Sequence, residues 1–151
     1  MSKMKSVLNE EIMTGLIKRI NLLGEDSTPK WGKMKVDQMI SHCILWNELS
    51  LGKIPSKQTF LGFFFGKMAL RKLLKDEKPV PQNMPTLPFL IIKDHTGNLE
   101  SNKQKWIDQL NEFVQSDDYS IVHPFFGKMN KDQIGVLAYK HTDHHLRQFN
   151  V

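Results

Sequence analysis

Cysteine is nearly absent from this 151-residue chain, where Cys43 stands alone. A single thiol closes no internal disulfide, which points to a reducing compartment, and a cytoplasmic protein is expected. No apolar run of about 18 residues occurs, so no segment reads as a membrane-spanning helix. Nor does an apolar run long enough for a secretory signal precede the first acids, Glu10 and Glu11. Acidic residues are in the minority, with 16 Asp and Glu against 21 Lys and Arg, which leaves a net charge of +5. Such an excess attracts nucleic acid or anionic lipid when it is concentrated. Here it is scattered. The densest stretch holds Lys67, Arg71, Lys72, Lys75 and Lys78 but also Asp76 and Glu77, and it reads as a solvated face. Neither nucleic acid nor a membrane is expected as a partner. Internal repeats, low-complexity tracts, domain linkers and sustained strand alternation are also missing, so residues 1–151 are read as one all-α domain.

Helical periodicity is abundant. The first segment, 6–24, carries Leu8, Ile12, Leu16, Ile20 and Leu23 at spacings of three and four, with Ser6 as a start signal and Gly24 as a stop. The second, 35–51, presents a broad apolar face from Val36 to Leu49 and ends at Gly52. A further segment, 98–114, places Trp106, Ile107, Leu110 and Phe113 on one stripe, with Ser101 and Gln104 spaced as a capping box. The last, 131–149, has Asn130 and Gln133 at the same spacing. Between the second and third of these lies an aromatic, helix-compatible stretch, 57–75, followed by Pro79, Pro81, Pro85 and Pro88, which exclude continuous helix. The expected architecture is a four-helix bundle whose long crossover carries an extra short helix and a proline-rich strap. The aromatic run of that extra helix fits the core or a dimer contact better than an amphipathic membrane-surface element.

Three of the six histidines fall within five residues, at His141, His144 and His145. At about 100° per residue, Ile134, Leu137, Ala138, His141, His145 and Phe149 share one face, with His144 at its edge. Side chains four apart on a helix are neighbours, and two imidazoles so placed reach one ion, as in the zinc-binding H-E-x-x-H helix. A third donor is then needed, and His42 sits inside the apolar arc of the second helix beside Gln38. An imidazole buried there without a partner costs about 1–3 kcal/mol. A shared metal satisfies it, and so does an ordinary hydrogen bond. Spacing alone does not choose between them.

Resemblance adds to this reading. The stretches His123-Pro-Phe-Phe-Gly-Lys-Met129 and Tyr139-Lys-His-Thr-Asp-His-His-Leu-Arg-Gln-Phe149 resemble the C-terminal signature of the DinB-like superfamily, in particular a branch of unknown function. Trp31-Gly-Lys-Met34, Gln38-Met-Ile-Ser-His42 and the Phe64–Lys75 segment are similar to the same branch. The resemblance implies a bundle that holds a divalent metal, zinc or nickel first among the candidates, through one histidine of the second helix and two of the last. Those positions are His42, His141 and His145. It also implies a metal-dependent enzyme, either a transferase using a low-molecular-weight thiol or a hydrolase. The alternative is a metal- or ligand-binding sensor module without turnover. A small-molecule substrate and a homodimer follow from the same likeness.

Several other polar residues have more than one reading. His144 supports a ligand imidazole, faces a substrate, or is a surface neighbour of the true ligands. Gln148 and Gln38 are candidates to orient a ligand or contact a substrate. His123 reads as a loop residue that fixes the approach to the last helix, or as part of the site wall. His95 reads as an exposed turn. No clear general base stands out, since Glu48 and Asp143 fall off the histidine face, and the strap from Pro79 to Pro88 is placed to cover the site.

Overall fold

The computed structural model describes residues 4–117 and 119–151. Among them are five α-helices, a two-stranded hairpin and one 3-10 turn at Pro88–Leu90. The helices are α1 (Glu10–Asn21), α2 (Val36–Ser50), α3 (Phe60–Leu73), α4 (Leu99–Gln115) and α5 (Lys131–Gln148). α2 packs against α4 and α5, and α1 against the same two, so these four form a helical bundle. The expected all-α class is corrected in one respect. β1 (Ser120–His123) and β2 (Gly127–Asn130) form an antiparallel pair in which Ile121 faces Met129, both buried. Four-residue strands alternate too briefly to stand out from loop sequence.

Local signals set most helix ends. The α5 start is as expected: Asn130 Oδ1 accepts from Gln133 N at 2.9 Å, and Gln133 Oε1 accepts from Asn130 N at 3.1 Å. Two other starts differ. Asn9, not Ser6, caps α1 by accepting from Ile12 N at 3.0 Å, which leaves Glu10 and Glu11 in the first turn to favour the helix dipole. Asn98 caps α4 through Ser101 N at 2.8 Å, so Ser101 is the third helical residue rather than the cap. Gly52 ends α2 with a φ of +76°, a conformation that costs glycine nothing. The core that results is continuous: Leu16 and Ile20, Met39, Ile40 and Cys43, Trp106, Leu110 and Phe113, and Ala138 and Leu146 come from all four bundle helices. Burying each large side chain contributes roughly 1.5–3 kcal/mol.

α3 departs most from expectation. Its aromatic residues are not core: Phe60, Phe63 and Phe64 are 78 %, 71 % and 60 % exposed, and Leu61, Phe65 and Met68 are exposed as well. The buried side of α3 consists of Gly62, Gly66 and Leu70. The two glycines let the helix backbone lie against the hairpin turn, since a Cβ at Gly66 would stand 1.9 Å from the Phe125 carbonyl oxygen.

The segments just before and just after the strap are each tied to a bundle helix. Buried Lys140 of α5 donates from Nζ to the carbonyls of Asp76 at 2.6 Å and Lys78 at 2.9 Å. At the far side Gln38 donates to the Lys93 carbonyl at 2.9 Å, and His95 pairs with Asp37 at 2.7 Å. His95 is therefore exposed, as expected, yet tied to α2. A second clamp fixes α5 to α1: Asp143 meets Arg19 and Arg147, each at 2.7 Å.

Candidate metal centre

α2 and α5 adjoin in the bundle, and their packing brings His42 opposite His141 and His145. Ring centroids lie 5.1 Å apart for His42 and His141, 4.8 Å for His42 and His145, and 4.7 Å for His141 and His145. One nitrogen from each ring falls within 4.8 Å of the other two, close enough to hold a metal ion. His42 and His145 are buried, and His141 keeps a small opening.

The outer nitrogens of two rings are already spoken for. His42 Nδ1 donates to the Leu90 carbonyl at 2.9 Å, which leaves Nε2 with a free lone pair. His145 Nδ1 donates to Gln148 Oε1 at 2.9 Å, and Gln148 Nε2 in turn donates to the Trp31 carbonyl at 2.9 Å. That second bond fixes which way the Gln148 amide points, and so the His145 tautomer. Gly32, at a φ of +77°, makes room for this amide, because a Cβ there would lie 2.9 Å from Gln148 Nε2. The His141 ring stacks on Trp46, with centroids 4.4 Å apart and planes 13° from parallel.

His42 Nε2 and His141 Nε2 face each other at 3.1 Å. Two imidazole nitrogens at that distance share a proton or share a cation. Tetrahedral ligation with bonds of about 2.0–2.1 Å separates two nitrogen donors by roughly 3.3 Å, so the observed spacing fits an ion. Electrostatics agree. Burial, reinforced by the neighbouring imidazoles, holds His141 well below the ordinary histidine range. Burial also brings His145 down to about 3 and lowers His42, although the Leu90 bond opposes the latter. All three rings are thus neutral near pH 7, the state in which histidine binds metal.

A cavity of about 240 Å³ opens beside the cluster, with Trp31, Met84, Leu90 and Ile91 forming apolar walls and His144 at the rim. Of the strap from Pro79 to Pro88, Asn83, Met84 and Thr86 line this cavity, so it borders the site, and Leu90 and Ile91 follow just after it. His144 is half-buried, donates from Nδ1 to the Val80 carbonyl at 3.3 Å, and lies edge-on to Trp31. Gln148 stands where sequence placed it, behind the His145 imidazole. Gln38 does not: its Oε1 accepts from Lys35 N at 2.9 Å and its Nε2 binds Lys93, so both amide ends serve the start of α2 and the strap. His123 lies in β1, where Nδ1 accepts from Phe125 N and Phe126 N at 3.1 and 3.2 Å, and burial lowers it to about 4. It shapes the turn before α5. Sequence reasoning missed Leu90 and Trp46. A backbone carbonyl leaves no sequence signature, but Trp46, one turn after His42, was available as a signal.

Residues 4–151 fit the family model described as "Protein of unknown function (DUF1569)". No curated protein and no solved structure matches the chain.

Proposed function

The chain belongs to the DUF1569 family, and we propose that it is a metal-dependent protein of DinB-like type that binds one divalent ion, zinc or nickel, through Nε2 of His42, His141 and His145. The observation that carries this is the pair of Nε2 atoms 3.1 Å apart, with their His145 neighbour held in the matching tautomer by Gln148. Three neutral donors leave a coordination position free, the pattern of a catalytic rather than a closed structural site. The proposed activity is transfer to or from a low-molecular-weight thiol, or hydrolysis. When bound, the ion supplies Lewis acidity that favours the deprotonated form of a thiol or water.

The residues around it divide the work. Leu90 and Gln148 hold His42 and His145 in the tautomers that present Nε2, and Trp46 keeps the His141 ring in plane. His144 has Nδ1 committed to Val80, which leaves Nε2 as a proton acceptor, and burial keeps the ring neutral. At the rim of the cavity it is the residue best placed to take a proton from a thiol or water. The apolar walls suit a small substrate. The four-helix topology of the DinB-like superfamily accommodates α1, α2, α4 and α5, with α3 and the strap in the crossover.

The test compares protein stripped by a chelator, then reloaded with zinc or nickel, for consumption of glutathione or bacillithiol and for ester hydrolysis. Turnover that requires metal and is lost in His42→Ala is expected. Stoichiometric metal binding with no turnover on any thiol or ester leaves the sensor reading instead.

A further inference from the structure

The outward face of α3 is the largest feature that the metal centre does not use. Phe60, Leu61, Phe63, Phe64, Phe65 and Met68 are between 52 % and 78 % exposed on two turns of one helix. Their rings meet one another, with the Phe64 centroid 4.9 Å from Phe60 and 5.4 Å from Phe63. The helix cannot roll to bury them. Its opposite side carries Gly62 and Gly66 against the Phe125 carbonyl, and a side chain at either place would collide with backbone. Thr59 N donates to the Pro124 carbonyl at 2.8 Å and Lys67 Nζ binds the Lys128 carbonyl, so both ends of this contact are anchored to the hairpin. The aromatic face is fixed outward.

Charge indicates what covers it. From residue 57 to residue 75 there is no acid, while Lys57, Lys67, Arg71, Lys72 and Lys75 are all exposed. Arg71 and Lys72 lie on the same side as the aromatic residues, about one turn beyond Met68 and two beyond Phe64 and Phe65. The next acids are engaged elsewhere, Asp76 with Lys78 N at 3.0 Å and Glu77 with Lys5 N at 2.8 Å. In an isologous contact this face of a second copy has no acid from 57 to 75 to pair with these cations. An anionic lipid surface offers both parts of the complement: acyl chains for the phenylalanines and headgroup phosphates for the cations.

We propose that α3 is a peripheral docking element for anionic membranes, with the N-terminal aromatic turns seated at the headgroup boundary and the C-terminal cations against phosphate. The proposal revises the expectation that no membrane is a partner and does not depend on the metal site. Co-sedimentation of the full chain with vesicles of phosphatidylcholine plus phosphatidylglycerol, against phosphatidylcholine alone, tests it. Binding to the mixed vesicles is expected, weakened on the order of thirtyfold or more on the neutral ones and weakened by high salt. Phe64→Ser with Phe65→Ser weakens it by at least about tenfold, and Arg71→Gln with Lys72→Gln by on the order of thirtyfold, with helix content and metal content unchanged. Failure to sediment with the mixed vesicles overturns the proposal. So does equal binding to both vesicle types, or a wild-type dimer that excludes vesicles and that Phe64→Ser with Phe65→Ser turns into monomer.

Discussion

α2 and α3 follow one another in the chain and are alike in length and apolar content, yet α2 buries eleven of its fifteen residues and α3 three of its fourteen. The difference lies in what each sets against its neighbours. α2 presents large side chains to α4 and to α5, and the closeness of those helices carries His42 into reach of His141 and His145. α3 presents glycines to a hairpin turn and turns its phenylalanines outward. A helix face is thus assigned to the core by the partner it can approach, not by hydrophobicity alone.

Substitutions sharpen this contrast in order of size. Ile40→Ala, at a fully buried position of α2, removes core contacts and leaves a cavity, and is expected to destabilise by about 2–5 kcal/mol in chemical denaturation. A cost near zero would mean that α2 is not the centre of the core.

Acidification comes next. The unfolded chain binds protons at its histidines below about pH 6.5, while the fold keeps His123 down to about 4 and His145 to about 3 through burial. The stability these groups contribute is present above pH 6.5 and is lost as pH falls from there toward 4, by roughly 3 kcal/mol for His123 alone in metal-free protein. Denaturation midpoints across that window check it, and a flat profile from pH 7 to about 4 would contradict the burial of these rings.

Gln148→Leu is expected to lower metal affinity about ten- to a hundredfold, because it frees His145 from its tautomer and leaves the Trp31 carbonyl unpaired. Competition with a chromophoric chelator measures this, and unchanged affinity would show that Gln148 does not act through His145. Smallest of all, Phe64→Ser on α3 is expected to change folding stability by less than about 0.5 kcal/mol, since the residue is exposed. A loss of several kcal/mol would place α3 in the core after all.

The same contrast marks how far the sequence could be read. Periodicity located the four bundle helices to within a few residues, and the spacing of His141 and His145 on the Ala138 face held. Asn130 and Gln133 formed the box their spacing predicts, because that motif is local. What needed three dimensions was not legible. A period says which residues of α3 share a face but not that a glycine stripe claims the other one. The Leu90 carbonyl behind His42 and the Asp143 clamp to Arg19 join residues 48 and 124 positions apart. Gln38 looked like a site residue from its place beside His42, but the α2 start and the strap use both its ends.

The most direct measurement is anomalous scattering from crystals of protein purified without a nickel column. A single peak about 2.0–2.1 Å from Nε2 of His42, His141 and His145 is the expected result. A peak held by other residues, or none in crystals grown with zinc or nickel, would contradict the three-histidine centre.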